Sequence, residues 1–210
     1  MFITRTRITS AVAAAVAATA LFVAGCSDND SGTNNSMPGM EHGTSSTPAS
    51  SKTPAARSDF NDADVTFLTM MYPHHAQAVD MAKMVSSRTQ NSELRALATK
   101  VEQAQAPEMQ QITTLLQGFG KPAPSAGGHG GHDMPGMMGA EQMTALQAAS
   151  GPDFDRQWLT MMIEHHTGAV AMAETELASG SNAESKTLAR TIIDGQRAEI
   201  DTMRGMLGQR

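Results

Sequence analysis

Apolar residues between positions 59 and 118 recur every three or four places, the spacing that puts them on one face of a helix. On a wheel turning about 100° per residue, Asp64, Leu68, Met71, His75, Ala78 and Ala82 form one stripe, and Phe67, His74, Met81 and Val85 lie on its flank. Thr69, Pro73, Asp80 and Lys83 fall on the opposite face, which the pattern assigns to solvent. Asp59–Asp62 can cap this helix, which is predicted to run to about Ser86, with a kink where Pro73 removes a backbone donor. Asn91 or Ser92 can cap a second helix with Glu93 in its first turn, and Leu94, Leu97, Val101, Ile112, Leu115 and Leu116 define its apolar face.

The pattern then repeats. MMYPHHAQAVDMA at 70–82 and MMIEHHTGAVAMA at 161–173 match at an offset of 91 residues, and the same offset carries Gln105 onto Gln196, Glu108 onto Glu199 and Leu115-Leu116 onto Met206-Leu207. Such self-similarity without a gap marks an internal duplication. In the second copy Asp153 opens a helix, Gly180 ends it, and Asn182 with Glu184 opens the next, which carries Leu188, Ile192, Met203 and Leu207. The connections at 86–92 and 179–183 are short, so each copy reads as an antiparallel hairpin. Aromatic residues are 4% of the chain and no β-branched alternation persists, so strands are not expected. The predicted fold class is all-α: a four-helix bundle made of two duplicated helical hairpins.

The flanking segments differ in kind. Residues 1–25 carry Arg5 and Arg7 before the apolar run AVAAAVAATALFVAG and read as a secretory signal; Val23-Ala24-Gly25-Cys26 resembles a bacterial lipobox. Cleavage before Cys26 and lipid attachment to its thiol would tether the exported chain to the outer face of the cytoplasmic membrane. As Cys26 is the only cysteine, there is no internal disulfide framework. Residues 26–58 are rich in Ser, Thr, Asn, Gly and Pro and read as a disordered tether; 59–118 are the first hairpin, 119–151 a Met/His/Gly-rich linker and 152–210 the second hairpin. Within the linker, 140–149 can add a short helical turn before Gly151-Pro152. Losing Arg5 and Arg7 with the leader takes the formal net charge from −6 to −8. With no basic patch interleaved with aromatics, nucleic-acid binding is excluded.

Candidate chemistry sits inside the apolar faces. His74 and His75 both fall within the inward arc of the first helix: His75 points to the bundle centre beside Met71, and His74 sits at an edge beside Met70 and Met81. Gln105 and Glu108 intrude on the apolar face of the second helix, and a carboxylate there costs several kcal/mol unless paired, hydrogen-bonded or bound to a metal. The candidate metal ligands are therefore Met71, His74, His75, Met81 and Glu108, with Met162, His165, His166, Met172 and Glu199 as counterparts. Methionine at helical spacing also serves as core filler, and an inward Glu–His pair can satisfy itself. Packing cannot explain the second set: Met37, Met40 and His42 in the tether, and His129, His132, Met134, Met137 and Met138 in the linker, where the unit MPGM occurs twice. Thioethers favour Cu(I) and imidazole also takes Cu(II), so copper is the expected cofactor, with another transition metal as the alternative.

The paired signatures Met70-Met71-x-x-His74-His75-x-x-Ala78-Val79-x-Met81-Ala82 and Met161-Met162-x-x-His165-His166-x-x-Ala169-Val170-x-Met172-Ala173, with Gln-x-x-Glu at 105–108 and 196–199, resemble the domain of unknown function 305 family over about residues 59–210. The resemblance implies a ferritin-like four-helix bundle in an exported bacterial protein, in a family of which some members bind copper. It implies no family-wide catalysis. Three functional readings follow: a lipid-anchored protein that sequesters or relays copper, a di-iron or di-manganese redox enzyme, and a metal-free interaction module. The enzyme reading is disfavoured because the chain has no Glu-x-x-His, the motif such bundles use. The expected partners are a metal ion and, through Cys26, a membrane; a homodimer is compatible with the pattern.

Overall fold

The computed structural model describes residues 57–126 and 134–208. These lie within the second of the two units into which the chain divides, 1–50 and 51–210. Five helices make up this body: α1 Asp62–Arg88, α2 Ser92–Gly118, α3 Ala140–Ala148, α4 Gly151–Ser179 and α5 Ala183–Met206. There are no strands among the described residues. The architecture is all-α, a ferritin-like four-helix bundle in which α1–α2 and α4–α5 are the duplicated hairpins.

Local chemistry explains the boundaries. The Asn61 side chain accepts from the N–H groups of Ala63 and Asp64 while Asp64 reaches back to the Asn61 N–H, a reciprocal cap at the start of α1. Asn91 and Asn182, 91 positions apart, cap α2 and α5 by accepting from two backbone N–H groups each, without the reciprocal bond. α4 starts at Gly151-Pro152, where proline loses no helical hydrogen bond. α1 begins at Asp62, its Asn61 cap lying within the expected segment 59–62, and it continues through Pro73 as one helix. Pro73 is buried, contrary to the wheel: it lies one turn before Gln77, on the side where the linker docks, a neighbour that a four-helix pattern leaves out.

α1 and α4 run antiparallel, as the polar links at their ends show. Asp64 near the start of α1 accepts from the backbone of Ser181 and Asn182 beyond the end of α4 (3.1 and 2.9 Å). Asp155 near the start of α4 accepts from the side chain of Asn91 beyond the end of α1 (3.1 Å). As Asp155 and Asn182 are the repeat counterparts of Asp64 and Asn91, the hairpins pack around an approximate two-fold axis.

The core falls into two apolar clusters. One gathers Met81, Val85, Leu94, Val101, Phe154, Trp158, Met162 and Met203, with Leu146 of α3 and Met138 of the linker against it. The other gathers Phe67, Leu68, Met71, Ile112, Leu116, Met172, Leu188 and Ile192. Each fully buried side chain of this size contributes about 1.5–3 kcal/mol relative to exposure. Trp158 also donates its Nε1–H to the Met81 carbonyl (2.9 Å), so the indole loses no hydrogen bond on burial. The buried polar residues belong to neither cluster, and the histidines and glutamines of the repeat are among them.

Candidate metal centre

All four histidines of the duplicated motif are fully buried. They do not converge on one point. His74 of α1 and His165 of α4 meet across the two-fold axis, ring centroids 3.8 Å apart and planes tilted by 40°. His75 and His166 turn the other way, each toward its own hairpin: His75 Nε2 lies 2.7 Å from Glu108 Oε2, and His166 Nε2 lies 2.7 Å from Glu199 Oε2. This reverses the wheel's emphasis, which made His75 and His166 the central pair and put His74 at an edge. A wheel gives the direction of a side chain but not the neighbour standing there, and α4 stands beside His74.

The hydrogen bonds define which ring atoms are free. A carboxylate only accepts, so Nε2–H of His75 and of His166 donates to the glutamates. His74 Nε2 lies 3.1 Å from the Pro135 carbonyl, which likewise only accepts. In these three rings Nδ1 is buried without a partner, and His165 has neither nitrogen bonded. Gln105 and Gln196, also buried, have no partner for either amide atom. Buried polar groups are nearly always bonded, so this concentration of orphan donors and acceptors requires a ligand or ordered water. A histidine whose other nitrogen donates to a carboxylate or carbonyl is the usual arrangement of a metal ligand.

Burial lowers the affinity of these rings for protons. It pushes His74 down to about 3, aided by the neighbouring His75 and opposed by the Pro135 carbonyl. His165 is pushed well below its ordinary value by complete burial and then by His74 and His166. Both rings are neutral at physiological pH, so their nitrogen lone pairs are open to a cation without proton competition.

The carboxylates and thioethers are placed differently from expectation. Glu108 and Glu199 are partly exposed, at 14% and 17%, and they orient imidazoles from the rim of the bundle. Glu199 also lines a cleft of about 470 Å³ between α2 and α5, with Leu97, Lys100 and Met206. The methionines cross over: Met71 of the first repeat shares a cluster with Met172 of the second, and Met162 shares one with Met81. No group of three or more His, Cys, Asp or Glu side chains among the described residues stands ready to hold an ion by itself. Contrary to the expectation that packing plays no part in the linker set, Met138 is buried in the first apolar cluster; Met134 and Met137 are half-buried, whereas Cys26, Met37, Met40, His42, His129 and His132 lie outside the described residues.

A second polar site, at one end of the bundle, escaped the sequence pattern. Glu176 of α4 is buried and faces Asp64; burial first, and Asp64 next, raise it to about 8. Burial also acts to raise Asp64, but the backbone N–H groups of Asn61, Asn182 and Ser181 hold it below the ordinary carboxylate range. Gly180 follows because a Cβ there would press on the Glu176 carboxyl, 2.7 Å from Oε2. Its signal in the sequence is an acid at 176 where the first repeat has Val85.

An all-α body of two duplicated hairpins with an imidazole layer at mid-height defines a helical-bundle class, and comparison with known proteins specifies it. The family described as Domain of unknown function (DUF305) matches residues 64–207, and the chain belongs to it. A DUF305 fragment from Deinococcus radiodurans is 35% identical over 70% of this chain and 97% of its own, with a TM-score of 0.65. A DUF305 protein from Streptomyces coelicolor is 33% identical over 70% of this chain and 92% of its own, TM-score 0.64. CopM in its Cu(II)-bound form is 35% identical over 68% of this chain and 94% of its own, TM-score 0.60. No curated protein sequence matches the chain.

Proposed function

We propose that the protein binds copper through its methionine and histidine side chains, to sequester or relay it outside the cytoplasmic membrane. The observation that carries this reading is the buried imidazole layer, in which five ring nitrogens have no hydrogen-bond partner: Nδ1 of His74, His75 and His166, and both nitrogens of His165. Imidazole nitrogen beside clusters containing Met71, Met81, Met162 and Met172 is a donor set suited to Cu(I) and, through nitrogen, Cu(II). No three harder ligands stand together among the described residues, and the nearby methionines offer thioether sulfur as further donors in this reading. The solved forms of CopM, bound to Cu(II), Cu(I) and Ag, support the same chemistry. In this reading the free Nδ1 atoms bind copper, and Glu108 and Glu199 hold the rings of His75 and His166 in place. The copper ion is cargo, and no reaction is assigned to it.

The lipobox-like Val23-Ala24-Gly25-Cys26 supports anchoring through Cys26 on the outer face of the membrane. No helix among the described residues is long and apolar enough to cross a membrane. The test is to load the purified mature chain with Cu(I), Cu(II), Zn(II) or Fe(II) and desalt it. Copper is expected to be retained in preference to zinc and iron; loss of all four metals refutes the reading, and retention of two irons with oxygen turnover favours the redox-enzyme alternative.

A further inference from the structure

Residues 134–138 of the linker pack against the bundle through three independent features. The Gln77 amide closes a two-way bond with Met138, donating to its carbonyl (2.9 Å) and accepting from its N–H (2.8 Å). The Pro135 carbonyl accepts from His74 Nε2 (3.1 Å). Finally, the Pro135-Gly136 backbone lies directly against α4. A Cβ on Gly168 would run into the Pro135 carbonyl and come 2.7 Å from Gly136 N; one on Gly136, where φ is +77°, would come 2.6 Å from the Glu164 carbonyl. Only two glycines allow backbones so close.

Gln77 and Gly168 occupy the same place in the two repeats, 91 positions apart. In the first copy the position carries an amide that grips the linker, and in the second a bare backbone that admits it. An otherwise two-fold arrangement is thereby broken where His74 meets His165. His74 has its Nε2 taken by the linker, and His165 has neither nitrogen taken.

We propose that residues 134–138 are a built-in strap that positions His74: Gln77 and Gly168 dock it, and the Pro135 carbonyl fixes His74 as the Nε2–H tautomer, so that the two repeats present inequivalent imidazoles. Gln77 and Gly168 are positioning residues and touch no cargo. A second consequence, resting on the copper reading above, is that His74 offers a metal only Nδ1 while His165 offers either nitrogen, and the two halves fill in separable steps.

The test is made first on the metal-free full-length mature chain. Nitrogen-15 NMR of the imidazoles should find His74 as the Nε2–H tautomer, and hydrogen exchange should find the Met138 amide protected. Gln77→Ala should release that amide by about tenfold or more, the worth of roughly one hydrogen bond, and return His74 to a mixture of tautomers. Gln77→Glu, which can accept from Met138 N–H but not donate to its carbonyl, should fall between. Gly168→Ala should give the larger effect, and Gln77→Ala stands in for it if that variant fails to fold. Unchanged tautomer and unchanged exchange in both variants overturn the strap. Silver(I) titration then separates the two proposals: two steps in the wild type merging toward one in Gln77→Ala supports both, one step in both chains overturns the inequivalence, and no binding with an intact tautomer effect overturns the metal reading while the strap stands.

Discussion

The two repeats share a plan and differ at a few positions, and the difference separates two kinds of residue. Positions alike in both copies, Met71/Met162, His74/His165, His75/His166, Gln105/Gln196 and Glu108/Glu199, form the layer at mid-height and the apolar packing beside it. Positions that differ do local work: Gln77 and Gly168 seat the strap, and Glu176 adds a second buried acid at the Asp64 end where the other end has Val85. Duplication therefore built the centre, and later divergence gave the molecule a direction. At the Asp64 end three backbone N–H groups converge on one carboxylate; at the Asp155 end one oxygen accepts from Asn91 and the other has no partner.

The largest test of equivalence is in the core. Met71→Ala and Met162→Ala each remove a fully buried thioether and should each lower unfolding free energy by about 2–5 kcal/mol, with similar losses in urea denaturation. A large loss in one and none in the other would break the two-fold account of the packing.

A smaller effect should distinguish the two ends. Glu176 is raised from an ordinary 4.5 to about 8 in the folded chain. Between those pH values the folded state therefore holds a proton that the unfolded state has released. The stability this group contributes is full below about pH 4.5 and is lost as pH rises through about 8. Glu176→Gln, which copies the neutral acid, should flatten that fall and add about 1–2 kcal/mol at pH 8 and above. Chemical denaturation across pH 5 to 9 reads it, and an unchanged pH profile would show that Glu176 is ionised in the fold.

The smallest effect concerns the caps. Asn91→Ala and Asn182→Ala each remove an N-cap worth about 1 kcal/mol. Both side chains also donate to an aspartate, Asn91 to Asp155 (3.1 Å) and Asn182 to Asp59 (3.0 Å), but only Asn182 is fully buried, so its loss should be the greater in thermal melts. Equal losses would remove that distinction between the ends.

How much of this was legible in the sequence follows from what a periodic pattern encodes. The helices, their asparagine caps and the inward direction of His74 and His75 are properties of one element and its neighbours in sequence, and the 91-residue offset doubled each signal. The face-to-face meeting of His74 and His165 was not legible, because direction on a wheel does not name the helix opposite. The pattern places Glu108 on the inward face, and its side chain does reach His75, but from the rim of the bundle, where it stays partly exposed. The strap was hidden for a different reason. Gly168 reads as a small residue on a helix and Gln77 as a polar one, and only the approach of a segment some 60 to 30 positions away in sequence gives either a purpose. Glu176 and Asp64 are more than 100 positions apart and meet only through the antiparallel packing of α1 and α4.

The central claim is that the buried imidazole layer holds the metal and the linker methionines and histidines do not suffice. Replacing His74, His75, His165 and His166 together by Gln keeps bulk and polarity while removing the imidazole donors. With helicity verified by circular dichroism, the Cu(I) retained per chain after desalting is then compared with the wild type. The account predicts that copper is retained by the wild type and lost from the variant; a folded variant that keeps the full complement of copper would contradict it.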